Sequence, residues 1–231
     1  MKKINRMMNN LKVFNRSYRK SSKYDLKLSN ELKEVIVGLA LGDLFIEKRQ
    51  FNSNARLQFH QSDKNKEYID HLYFLFKDYC GSEPKFFSSF DVRKNKNKHY
   101  NSFKFSTFSL PCFNEFRSLF YNSSGKKIIS EDINQYFTAR SLAYWIMDDG
   151  YKAENGFYLC TESYTLIENH QLKDILKLKF NLDCGIHKHT NGHRLYIFST
   201  SKQNLIELIK PYLLTHFYYK LDLDINDNSS E

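Results

Sequence analysis

The chain has 231 residues, 41% hydrophobic and 16% aromatic, enough for one large domain or two small ones with a real core. Three prolines and eight glycines argue against long disordered linkers, and no apolar run reaches the ~18–20 residues of a membrane span, so a soluble protein with no membrane partner is expected. The net charge of +9 is unevenly spread: residues 1–24 hold eight lysines and arginines and no acid, residues 221–231 hold four acids, and the mildly basic body needs a local surface to bind nucleic acid.

Residues 1–28 read as a basic arm: a solvated tail, a segment touching phosphates, or an organelle leader. Few apolar residues stand at helical spacing there, which disfavours the leader. A helix is expected over Asn30–Leu41, capped by Ser29 or Asn30 and ending at Gly42-Asp43. A hairpin follows, Phe45–Gln50 and Arg56–Gln61, in which Leu57 and Phe59 alternate with Arg56, Gln58 and His60. Ile69, Leu72, Tyr73 and Phe76 mark a helix over Lys64–Tyr79. A second hairpin, Lys85–Val92 and His99–Thr107, turns on a basic stretch that includes Arg93, Lys94 and Lys98, and Lys104 lies in its second strand. A helix from Pro111 to Phe120 closes a first lobe, 29–121, of order αββαββα. Residues 122–137 are polar and turn-rich and read as a linker.

The order then repeats over 138–222. An apolar helix, S-L-A-Y-W-I-M-D-D-G, ends on Asp148 and Asp149. A short hairpin spans Tyr151–Ser163 and a helix Thr165–Phe180. Strands Cys184–Thr190 and His193–Ser199 flank Asn191-Gly192, a strong hairpin signal. A helix over Lys202–Leu213 follows, with an acidic tail at 223–231. Cys-Gly follows the middle helix in both halves, at Cys80-Gly81 and Cys184-Gly185, so a duplicated lobe is expected. Cys80, Cys112, Cys160 and Cys184 are too scattered for zinc or a disulfide framework and are expected to be buried thiols.

Acids at a helix C-terminus are unfavourable by roughly 0.3–1 kcal/mol each. Here the design occurs twice, at Asp43 and at Asp148-Asp149. A bound cation is one reason for it. His187, His189 and His193 could suggest zinc, but no carboxylate or Cys completes a set at a usual spacing. They read better as polar groups of a strand face. Trp145 and most Phe and Tyr residues are expected in the core.

The motifs I-V-G-L-A-L-G-D-L (36–44) and L-A-Y-W-I-M-D-D-G (142–150), each opening an αββαββα lobe, resemble the LAGLIDADG homing endonucleases of the single-chain, intron-encoded type. The resemblance covers roughly residues 31–222. It implies an α+β fold of two pseudo-symmetric lobes, with the motif helices paired at the interface and the antiparallel sheets forming a saddle over duplex DNA. It implies that Asp43 and Asp149 bind Mg²⁺, with Mn²⁺ as a substitute, and that each lobe cuts one strand to leave short 3′ overhangs. Lys127 and Lys220 match the basic residue near each site, and Gln61 and Glu162 the polar residue ending the second strand. All six are candidate catalytic residues. Arg56, Gln58, His60, Lys104, His187, His189, Arg194 and Tyr196 would read bases, and Arg93, Lys94 and Lys98 would touch phosphates.

Where the family often has small residues at the helix contact, this chain has Gly38 and Gly42 opposite Tyr144 and Asp148. An asymmetric interface is expected, with Ala143 giving the close approach and Asp148 either an additional ligand through its backbone or, as the favoured reading, a solvated neighbour. The expected protein is a monomeric, organelle-encoded endonuclease, mitochondrial or of another organelle, with a long recognition site. The rival reading is a group I intron maturase that binds intron RNA and cuts weakly or not at all.

Overall fold

The computed structural model describes residues 23–91 and 98–224, of which Asp91 and Lys98 by backbone alone. Most of the basic arm, the turn holding Arg93 and Lys94, and the tail from 225 lie outside the described residues. Helix α1 spans Asn30–Leu41, and the Ser29 hydroxyl caps it by accepting the Leu32 N–H. Strands β1 (Phe45–Glu47) and β2 (Arg56–Ser62), helix α2 (Lys66–Phe76), strands β3 (Lys85–Asp91) and β4 (Lys98–Ser106) and helix α3 (Asn114–Phe120) complete the first lobe. A short helix α4 (Ile133–Tyr136) precedes the second. That lobe runs α5 (Ala139–Asp149), β5 (Gly150–Ala153), β6 (Gly156–Leu159), α6 (Leu166–Phe180), β7 (Cys184–His189), β8 (Gly192–Phe198) and α7 (Lys202–Ile209).

The two sheets are built alike, antiparallel and ordered β1-β2-β4-β3 and β5-β6-β8-β7. The fold is α+β, two αββαββα lobes, as expected. Strand alternation decides what each sheet buries. Leu57 and Phe59 of β2 point to the core, while Arg56, Gln58 and His60 face outward. Phe59 stacks on Phe105 of β4, with centroids 4.3 Å apart, and leans on Phe76 of α2 at 5.1 Å. In lobe two Phe157, Leu159, Leu195 and Ile197 do the same work.

Val35–Leu41 of α1 and Ser141–Met147 of α5 are buried without a break. Helices buried all round belong between two bodies of structure, and these two pack on each other where the lobes meet. Glycine permits the approach. A Cβ at Gly38 would fall 2.2 Å from the Ser141 carbonyl oxygen, and one at Gly42 would fall 2.6 Å from Asp148 Cβ. The close approach is therefore to Ser141 rather than to Ala143. The Ser141 hydroxyl also donates to Glu34 O across the interface, at 2.8 Å.

Differences from the expected elements are local. The expected helix starts at Lys64 and Pro111 are 3₁₀ turns, Asp63–Asn65 and Pro111–Phe113. Helix α7 stops at Ile209, where Pro211 lies in a 3₁₀ turn over Lys210–Tyr212. An unexpected 3₁₀ run, Thr215–Lys220, follows. The polar stretch before α5 docks on α6: Gln171 donates to Ser130 O at 2.8 Å, and Glu168 accepts the Ile129 N–H at 2.9 Å. All four cysteines are free thiols, with Cys184 buried and the other three half-buried. Burial raises the thiol pKa of Cys80 and Cys184 to about 12 and of Cys112 to about 11.

Candidate active site and nucleic-acid face

Asp149 is the last residue of α5, and Asp43 follows Gly42, the C-cap of α1. Both acids reach one region. The pKa of Asp149 is pushed up to about 7, first by burial and then by the charge of Asp43. Lys127 and Lys220 oppose that rise. Each lysine closes one motif helix. Lys127 Nζ donates to Gly42 O at 2.8 Å, and Lys220 Nζ donates to Ile146 O at 3.0 Å and Met147 O at 2.6 Å. These carbonyls form the negative end of the helix dipole, and Ile146 O also accepts the Gly150 N–H. Burial lowers the pKa of both lysines, and Asp43, Asp148 and Asp149 act against the lowering. Lys220 is only 8% exposed.

The polar partners differ between the lobes. Gln61 Nε2 donates to Asp43 Oδ2 at 3.3 Å, and its Oε1 accepts from Asn65 Nδ2 at 3.0 Å. Asn65 is neighboured by His216 of lobe two, at 3.5 Å. Glu162 is instead held by Arg194 and lies 3.6 Å from His189 Nδ1. Its effect on Asp149 is through its charge, which adds to the raised pKa.

Asp148 is not a solvated neighbour. Gly42, lacking a side chain, leaves room for it between the helices. Its Oδ2 accepts the Asp43 N–H at 3.2 Å, and its Oδ1 is buried beside the Tyr68 hydroxyl. Burial and the charge of Asp43 push its pKa well above the carboxylate range. Tyr164 adds a second brace from lobe two, donating to Leu41 O at 3.0 Å. Asn65, Asp148 and Tyr164 escape sequence reading because their partners are distant along the chain or set by the lobe contact.

On the outward face of lobe one, Lys104 lies opposite His60, and Arg56 is ion-paired with Glu47 of β1. Burial and Lys104 lower the His60 pKa, with Asp43 acting against them. Lys98 opens β4 at the far end of the same hairpin. In lobe two Arg194 lies opposite His187, and Tyr196 is its neighbour along the same face. Tyr151 and Tyr158, which sequence patterning assigned to no site, stand there too, with ring centroids 5.2 Å apart. His187 Nδ1 is 2.9 Å from the Tyr158 hydroxyl. Among the described residues no group of three His, Cys, Asp or Glu side chains is arranged to hold a metal ion. What the interface offers is a pair of carboxylates whose mutual repulsion a cation would relieve. Two hard oxygen ligands suit an ion that keeps most of its waters, as Mg²⁺ does.

The family model described as the LAGLIDADG DNA endonuclease family matches residues 33–205. The cytochrome b mRNA maturase bI2 of Debaryomyces hansenii is 34% identical over 203 residues, covering 86% of this chain and 76% of that protein. A probable intron-encoded endonuclease 1 of Wickerhamomyces canadensis is 33% identical over 202 residues, covering 84% and 85%. The solved structure of the homing endonuclease I-WcaI bound to its DNA recognition sequence superposes with a TM-score of 0.81 at 30% identity, covering 89% of this chain and 92% of that one.

Proposed function

The chain belongs to the LAGLIDADG DNA endonuclease family, and from that premise we propose that it is a homing endonuclease that cuts both strands of a long duplex site, leaves short 3′ overhangs and promotes spread of its intron. The observation that carries this reading is the double device at the lobe junction: Asp43 and Asp149 converge at two helix ends, each closed by its own lysine. Binding alone has no use for two carboxylates held against helix dipoles and against each other.

Asp43 and Asp149 would hold divalent metal, Mg²⁺ being the ion that the oxygen donors suit. When bound, such an ion supplies charge neutralisation at the phosphate and lowers the pKa of water. The chain's own groups do the rest. Gln61 and Asn65 fix the Asp43 carboxylate in one orientation. Asp148 holds the backbone that carries it. Lys127 and Lys220 stay near both acids and are placed to steady negative charge developing on a scissile phosphate. The outward faces of the two sheets lie along the duplex, where side chains of the saddle meet base edges in the major groove. The chain works as a monomer, because it already contains both lobes, and belongs to an organelle, as the cytochrome b maturase relative suggests.

That relative also favours a second reading, in which the same scaffold binds intron RNA and assists splicing. One experiment separates the two. The protein is incubated with Mg²⁺ and a randomised duplex library, and the new ends are sequenced. The endonuclease reading expects ends with a fixed stagger at one site, lost in Asp43→Asn and Asp149→Asn while duplex binding survives. Cutting that persists in a chelator defeats the metal assignment. Faster splicing of the host intron with no cut in any duplex gives the case to the maturase.

A further inference from the structure

The outward face of the second sheet differs in kind from that of the first. Four of its rings form two stacked pairs: Tyr151 on Tyr158, 21° from parallel at 5.2 Å, and Tyr196 on His187, 20° from parallel at 4.7 Å. Tyr158 joins the pairs, 4.7 Å from Tyr196 and hydrogen-bonded through its hydroxyl to His187. Glycine makes the tiling possible. A Cβ at Gly156 would fall 2.4 Å from the Tyr196 hydroxyl and 2.5 Å from the fixed Ile197 carbonyl oxygen, so a side chain there would collide with ring and backbone together. Arg194 is the formal cation among the described outward side chains of β5 to β8, and its guanidinium is taken up by Glu162 and the Tyr151 hydroxyl. In lobe one, by contrast, Lys85 and Lys104 lie directly opposite each other on the outward face.

We propose that lobe two reads its half of the DNA site through this charge-neutral tier of aromatic edges and hydroxyls, and that this half is rich in A·T pairs, while lobe one supplies the salt-sensitive grip. The proposal rests on the endonuclease reading. Guanine is read best by a free arginine fork or a free lysine, and two of the three Arg194 nitrogens, Nε and Nη1, are already engaged. Ring edges fit the thymine methyl group that only A·T pairs present, and a hydroxyl can donate or accept beside it. Unpaired bases would need open ring faces to stack on, and here the rings cover one another. Neutral contacts release few counterions, so their share of binding resists salt.

The test binds a randomised duplex library at several salt concentrations and sequences what is retained. Wild type should enrich A·T pairs in one half of the site. Replacing Tyr158 and Tyr196 together by Ala should cut discrimination in that half by about tenfold per contacted pair and leave the salt slope unchanged. Tyr158→Phe keeps the packing and should lose only the preference carried by the hydroxyl. Lys104→Ala should shallow the salt slope by about one contact and leave the A·T half intact. A G·C-rich half, or tyrosine variants that shallow the salt slope or disturb both halves equally, overturns the proposal alone. Retention of random single-stranded RNA through these tyrosines, with no duplex enriched, overturns the endonuclease reading as well and makes the face a stacking platform.

Discussion

Asp149 is an acid kept where acids do badly, and that has a measurable consequence without metal. Its pKa of about 7 lies above the ordinary 3.8 because burial and Asp43 disfavour its charge. Between those values the folded chain holds a proton that the unfolded chain has released, so this group's contribution to stability falls as pH rises from about 4 to about 7. The loss is at most about 4 kcal/mol. His60 and His71, whose pKa values are lowered by burial, slope the other way below 6.5, as do the lowered Lys127 and Lys220 below 10.5. The clean measurement is therefore a difference. In chelator, Asp149→Asn should melt above wild type at pH 7.5, and the gap should close towards pH 4.5. An equal gap at both values would mean that the carboxylate bears no such cost. Lys220 gives the complementary case. Lys220→Met keeps the volume but takes away the donor to Met147 O, and leaving a buried polar group unpaired costs about 1–3 kcal/mol. Thermal melting checks that, and cleavage should fall with it.

The paired helices are where one element sets the meaning of another. Gly38 faces the backbone carbonyl of Ser141, whereas Gly42 faces only the side chain of Asp148, starting at its Cβ. Gly38→Ala and Gly42→Ala should therefore each cost about 3 kcal/mol, at the severe end of overpacking. Adding Asp148→Gly, which removes the Cβ as well as the carboxylate, should relieve Gly42→Ala and not Gly38→Ala. Denaturant titration of the three single and two double variants reads this as a coupling energy for one pair only. The same helices show what patterning reveals. Helix α1 runs over the expected Asn30–Leu41 because a Ser cap, an apolar run and a glycine stop are all local signals. Asp148 was misplaced because its burial depends on a glycine 106 positions earlier. The Thr215–Lys220 turn has no periodicity to announce it, yet it delivers Lys220 to the end of α5. Tyr151 and Tyr158 alternate with core residues as expected of a strand, but alternation alone does not say that rings on the open side pack into a tier.

At the scale of the whole molecule, two lobes of one design meet in a centre that is not symmetric. On the side of Asp43 stands a neutral amide, Gln61, that donates to the carboxylate. On the side of Asp149 stands a carboxylate, Glu162, whose charge raises the Asp149 pKa while Arg194 holds it. Protons should therefore compete with metal for Asp149, and the cut that leans on Asp149 should slow as pH falls. A supercoiled plasmid carrying the site, followed from pH 8 to pH 6 at low Mg²⁺, should accumulate nicked circles with one strand left intact in preference. More Mg²⁺ should suppress the accumulation, because a bound cation displaces the proton. Glu162→Gln, which removes one source of the raised pKa, should move the onset to lower pH. Equal nicking of both strands at every pH would show that the chemical inequality of the two lobes does not reach the cutting step.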